Sequence, residues 1–202
     1  MDLEKYLQPT YFLDCDSEAI VGKTRDLTAG EEDPVARART LFYFVRDSIR
    51  YNVFGPKERR EDFRASATLA RGEGYCVQKA VLLAAFCRAA GIPARVGFAM
   101  IRNNILPPEL AEVVKTNIFP WHGYAQVYLN GRWVKATPAF DRDLSERNRI
   151  IPVEFNGWHD APFHRRNRDG LLHIEYLKDR GPFDDLPLDD LWQALRENQL
   201  MK

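Results

Sequence analysis

The sequence predicts an α+β fold, with a central buried helix packed on an antiparallel sheet. Three observations carry this. Residues 77–90 are apolar on nearly every side of a helix, from Val77 and Ala80 through Phe86 and Cys87 to Ala90, and a helix without a polar face is buried all round. Asn130-Gly131 stands between two runs rich in β-branched and aromatic residues, Tyr124–Leu129 and Arg132–Thr137, which is the strongest short-range hairpin signal. The helical patterns come first and the strands later, joined by turns rather than helical crossovers, so the sheet is antiparallel.

Element by element, Ser17 is placed to cap a helix running to about Leu27, with Ile20, Val21 and Leu27 inward and Gly30 as its stop. Asp33-Pro34 is a helix start, an N-cap followed by proline in the first turn. Val35, Ala38, Leu41, Phe42, Val45 and Ile49 then recur at helical spacing, so one face of 34–50 packs on the core. Ser66–Ala70 reads as a short helical turn before Gly72-Glu-Gly-Tyr75. Gly91 and Pro93 end the buried helix, and Arg95–Ile101 reads as a strand. Past Asp141 the pattern weakens, until Pro187 opens an amphipathic helix carrying Leu188, Leu191, Trp192 and Leu195. The expected organisation is one domain over 1–202. It comprises a helical extension (1–32), a core (33–141) and an irregular C-terminal extension with a terminal helix (142–202).

Composition narrows the function. The 202 residues are 45% hydrophobic and 12% aromatic, values of a chain that buries a core. Lysine plus arginine and aspartate plus glutamate number 29 each, for a formal net charge of zero. A surface built to grip nucleic acid or anionic lipid carries a basic excess, so neither partner is expected. The longest strongly apolar stretch, Ala80–Cys87, is far short of the ~20 residues of a membrane span. The acidic start, Met1-Asp-Leu-Glu-Lys5, lacks the basic-then-apolar order of a signal peptide. Three scattered cysteines (Cys15, Cys76, Cys87) form no disulfide framework. The expected location is the cytoplasm.

Of these cysteines, Cys76 stands out by position, with glycines on one side and the start of the buried helix on the other. Helix-terminal amides favour an anion, so its thiol is expected to have a depressed pKa, and the same amides would serve the oxyanion of an acyl intermediate. Cys87 lies deep in the helix as a small hydrophobe, and Cys15 has no such context.

A thiolate nucleophile needs a base, and the base an orienting acceptor. His122 stands at the entry of the hairpin, in Phe119-Pro-Trp-His-Gly123. A two-residue turn at Asn130-Gly131 pairs Tyr128 with Trp133, Tyr124 with Thr137 and His122 with Ala139. Alternation then puts His122 on one face with Lys135 and Thr137, and its diagonal neighbours, ~7–8 Å away, are Thr137 and Asp141. His159, Asp160, His164 and His173 lack metal-ligand spacing and no Cys-x-x-Cys joins them, so no metal is expected.

The ordered set resembles the transglutaminase-like superfamily. It comprises Gly72-x-Gly-x-Cys76 opening an Ala/Leu-rich helix, Arg88-Ala-Ala-Gly-Ile-Pro-Ala-Arg95, His122 before a strand, and Gly131-Arg-Trp-Val134. The similarity runs from about Val45 to Asp141. The resemblance implies a papain-like core, with the nucleophile Cys76 at a helix N-terminus and the base His122 on an adjacent strand. The family pattern places an Asp four residues after the Trp of Gly-x-Trp, followed by Pro; here Thr137 stands at that position, before Pro138. Asp141, the nearest acid of the right strand parity, is therefore expected to complete the triad, with the Thr137 hydroxyl as the alternative.

The function expected is a cysteine-dependent hydrolase or acyl-transfer enzyme. It would act on amide or peptide bonds through a thioester, need no cofactor, and take a peptide, a protein or a small amide as substrate. Two other classes are a non-catalytic scaffold, for which the Thr137 departure argues, and a coenzyme A-dependent acyltransferase, which would want a phosphate cradle that the sequence does not show.

Overall fold

A computed structural model describes residues 2–106, 111–112 and 116–197. Its helical layer comprises α1 (Glu18–Leu27), α2 (Pro34–Ser48), α3 (Ala65–Arg71) and α4 (Cys76–Ala89). Two short strands, β1 (Arg50–Tyr51) and β2 (Glu73–Gly74), pair in parallel. The main sheet contains β3 (Ala94–Asn103), β4 (Ile118–Leu129), β5 (Arg132–Ala136) and β6 (Ile174–Phe183) in the order β5-β4-β3-β6, with every neighbour antiparallel. Helix α5 (Arg142–Arg147) follows β5, and α6 (Leu188–Glu197) follows β6.

Helix α4 is the centre of the molecule, and every residue from Val77 to Arg88 is buried. Its two long cationic side chains are satisfied by main-chain carbonyls, as burial demands. Lys79 Nζ donates to Arg46 O (3.0 Å) and Ile49 O (2.6 Å), tying α4 to the end of α2. Arg88 bonds Ala94 O (2.8 Å) and Asp184 O (2.8 Å), tying it to β3 and to the segment before α6. The loop before α3 is held to the helix start by Gln78, whose Nε2 donates to Pro56 O (2.8 Å) and Asp62 O (2.9 Å).

The α2 pattern holds: Asp33 caps through Val35 N and Ala36 N, and Val35, Ala38, Leu41, Phe42, Val45 and Ile49 are buried. In α1 the reading is corrected. Val21 is 47% exposed and Thr24 takes the buried position, its hydroxyl satisfied by Ile20 O (2.7 Å). The Ser17 side chain makes no cap bond, and the helix closes at Thr28 rather than Gly30.

The hairpin register is the expected one through Tyr128–Trp133 and Gln126–Lys135, but the ladder ends at Ala125–Ala136. Thr137 turns its amide to Ala161 O (3.2 Å) instead of continuing along β4. The C-terminal extension is less irregular than its sequence suggests, since β6 pairs with β3 from Val96 to Asn103. Charges on this edge strand hide the alternation: Lys178 and Asp179 are exposed and Glu175 is half-buried.

Candidate active site

Cys76 is the first residue of α4. Tyr75 before it is extended (φ −92°, ψ −178°), and its amide donates to Gln78 Oε1 (3.2 Å), so a side chain three residues on satisfies one free amide of the helix start. Three more amides, those of Gly123, Val77 and Cys76 itself, lie near the Cys76 sulfur and favour its anion. The Gly123 amide comes from β4, so the strand is pressed directly against the helix terminus.

His122, the residue before Gly123, lies on β4 opposite Ala99 of β3 and is 2% exposed. Its ring packs on Phe163 (centroids 4.8 Å apart, tilted) and edge-to-face with Tyr176 (6.1 Å). Phe163 in turn stacks on Phe140 at 4.6 Å. Cys76 and His122 line one cavity, whose other walls include Tyr51, Phe119, Trp121, Phe140 and Phe163. The structure thus brings the expected nucleophile and base to one place.

It does not bring Asp141 to them. The Asp141 carboxylate caps α5 through Leu144 N (Oδ1, 2.7 Å) and accepts from Tyr51 N (Oδ2, 2.8 Å). Among the described residues no hydrogen bond joins it to His122, and His122 Nε2 is buried without a partner. The strand-parity argument fails because β5 ends at Ala136 and Asp141 begins a helix. Thr137, at the family's acid position, is buried near the Tyr176 hydroxyl, which accepts from Phe163 N (3.1 Å). Thr137 thus stands where the family carries a carboxylate, and the Tyr176 ring packs against the imidazole.

The electrostatics also correct the expectation of an acidified thiol. Desolvation dominates at Cys76 and pushes the thiol up to about 11, although the three amides pull the other way. Burial alone pushes His122 down to about 3. The resting pair is therefore a neutral thiol and a neutral imidazole rather than an ion pair. Cys87, wholly enclosed in α4, is pushed up to about 12. All three cysteines are free. Among the described residues no cluster of three His, Cys, Asp or Glu side chains is placed to hold a metal, and no helix is long and apolar enough to cross a membrane.

Sequence reasoning missed Tyr176 and Phe163, which come from the tail and touch the imidazole only through the fold. It also passed over Gly123, whose lack of a side chain directly after His122 was the available signal of a close backbone approach.

With Cys76 and its neighbouring histidine placed, comparison with known families decides the class. The family model of the transglutaminase-like superfamily matches residues 22–138, more than half of the chain. The chain belongs to the transglutaminase-like superfamily. No curated protein matches the sequence significantly. Among solved structures, it is similar to a "putative cysteine protease" from Cytophaga hutchinsonii, with 18% identity and a TM-score of 0.54, over 88% of this chain and 51% of that one. It also matches the periplasmic domain of TgpA from Pseudomonas aeruginosa, with 21% identity and a TM-score of 0.49, over 68% of this chain and 48% of that one. The chain thus spans about half the length of these two structures. The Cytophaga likeness is one of fold, the papain-like α+β core of this superfamily.

Proposed function

We propose that the chain is a cysteine-dependent enzyme that cleaves amide or peptide bonds through a thioester on Cys76, with water as the default acceptor. The observation that carries the reading is the shared cavity of Cys76 and His122, with Gly123 of β4 pressed against the Cys76–Val77 main chain.

In this reading the Cys76 thiol gives its proton to the neutral His122 imidazole as sulfur bonds to the substrate carbonyl carbon. The carbonyl electron pair moves onto oxygen, and amides at the α4 terminus stabilise that charge. Collapse of the intermediate expels the amine, which takes the proton from the imidazolium, and leaves the thioester. Water then attacks, its proton passes to His122, and the acid leaves as the thiol is restored. Burial disfavours a free imidazolium, so proton transfer is coupled to attack, where the developing oxyanion supplies a counter-charge. The Phe163 and Tyr176 rings pack against the imidazole and hold its place where no acid does. The three unpaired thiols support action in a reducing compartment, the cytoplasm.

A non-catalytic scaffold is the second reading, favoured by the missing carboxylate at His122. Acid-quenched mass spectrometry after incubation with peptide anilides separates the two. The enzyme gives an acyl adduct at Cys76 and releases aniline, and both are lost in Cys76→Ala and His122→Ala proteins of unchanged melting temperature. A scaffold gives neither with the unaltered chain.

A further inference from the structure

We propose that the cavity beside Cys76 selects substrates whose acyl-side residue carries a bulky, uncharged apolar side chain, branched aliphatic or aromatic; this rests on the reading of Cys76 as nucleophile. The cavity measures about 80 Å³, where a single water needs ~10–15 Å³ on the same measure. It therefore has room for a side chain beyond the reacting carbonyl.

Apolar surface in its walls comes from several separate parts of the fold. Ile101 comes from β3, Phe119 from β4, Leu144 from α5, Phe163 from the following loop and Leu195 from α6. Two of the polar residues among the walls make hydrogen bonds to the main chain. Lys57, 9% exposed, donates from its Nζ to Val53 O (2.6 Å), and no carboxylate forms an ion pair with it among the described residues. Asn103 Oδ1 accepts from Ile105 N (3.0 Å). The Tyr75 hydroxyl is buried without a hydrogen-bond partner. A charged side chain entering this space would be desolvated with no partner, which is the costly case. An apolar one would exchange water for matching walls.

The test uses dipeptidyl acyloxymethyl ketones that differ only in the residue bearing the reactive carbonyl: Leu, Phe, Gly, Glu or Lys. Cys76 modification is timed by intact-protein mass spectrometry, with iodoacetamide as a reagent that needs no side-chain pocket. The Leu and Phe probes are expected to react about 10- to 100-fold faster than Gly and at least about 100-fold faster than Glu and Lys. In Leu144→Glu, a half-buried wall position, the ratio of Lys-probe to Leu-probe rates should rise by tenfold or so.

Equal rates across the series, with iodoacetamide still marking Cys76, overturn the selectivity and leave the nucleophile standing. A Glu probe faster than Leu overturns it by showing that Lys57 offers its charge to substrate. Failure of every reagent, iodoacetamide included, to mark Cys76 removes the nucleophile reading and the selectivity with it.

Discussion

A Cβ on Gly123 would stand 2.7 Å from Val77 Cα and 3.2 Å from Cys76 O. No real side chain tolerates the first of these distances, and the opposing atoms are main chain, which cannot swing aside. The glycine is what allows β4 to deliver both His122 and its own amide to the start of α4.

Gly123→Ala should therefore separate strand from helix. We expect a loss of about 1–3 kcal/mol in unfolding free energy, together with a steep fall in Cys76 acylation, measured by urea denaturation and by adduct formation. Gly22→Ala is the control. It lies in α1 with nothing within 4 Å of the added carbon, so it should gain about 0.5–1 kcal/mol.

The thiol should titrate high. With Cys76 pushed up to about 11, the thiolate fraction of the free protein rises about tenfold per pH unit between pH 7 and 10. Alkylation of Cys76 by iodoacetamide should follow that rise without levelling near neutrality. A plateau reached below pH 8 would show a thiolate–imidazolium pair already formed in the resting protein.

Two buried histidines make the fold acid-labile. Burial pushes His122 down to about 3 and, with a smaller contribution from the charge of His164, His173 to about 4. The unfolded chain takes up protons near the ordinary value of about 6.5 while the folded chain stays neutral, so protonation favours unfolding. Stability is then full above about pH 6.5 and falls towards pH 4, by up to about 1.4 kcal/mol per pH unit for each histidine. His173→Leu should halve that slope in urea titrations between pH 7 and 5.

Asp141 should matter for folding rather than for proton transfer. Asp141→Ala removes the cap of α5 and the acceptor for Tyr51 N, and takes away the carboxylate that most favours the buried Lys79 ammonium. We expect at least about 1–2 kcal/mol of destabilisation with the pH profile of acylation unmoved. A shifted profile would show that Asp141 acts through His122 after all.

The central helix, the hairpin and the place of Cys76 at the helix start were legible because each rests on local chemistry. An all-apolar helix, an Asn-Gly turn and a glycine-flanked cysteine need no knowledge of the rest of the chain. The third position was not legible, because strand parity extrapolates a ladder past its last pair. At Thr137 the chain leaves β4 for Ala161, a long-range choice made by the tail. The thiol's acidity was misjudged for a related reason. The helix amides are visible in the sequence, whereas the desolvation that outweighs them comes from walls assembled from the whole fold. Strand β6 was hidden by the charges of an exposed edge.

The most direct test is the identity of the acylated residue. The protein, incubated with a peptide anilide, quenched in acid and digested, should carry one substoichiometric acyl group on Cys76, absent from Cys76→Ala and strongly reduced in His122→Ala. An acyl group on Cys15 or Cys87, or aniline release that survives Cys76→Ala, would contradict the account.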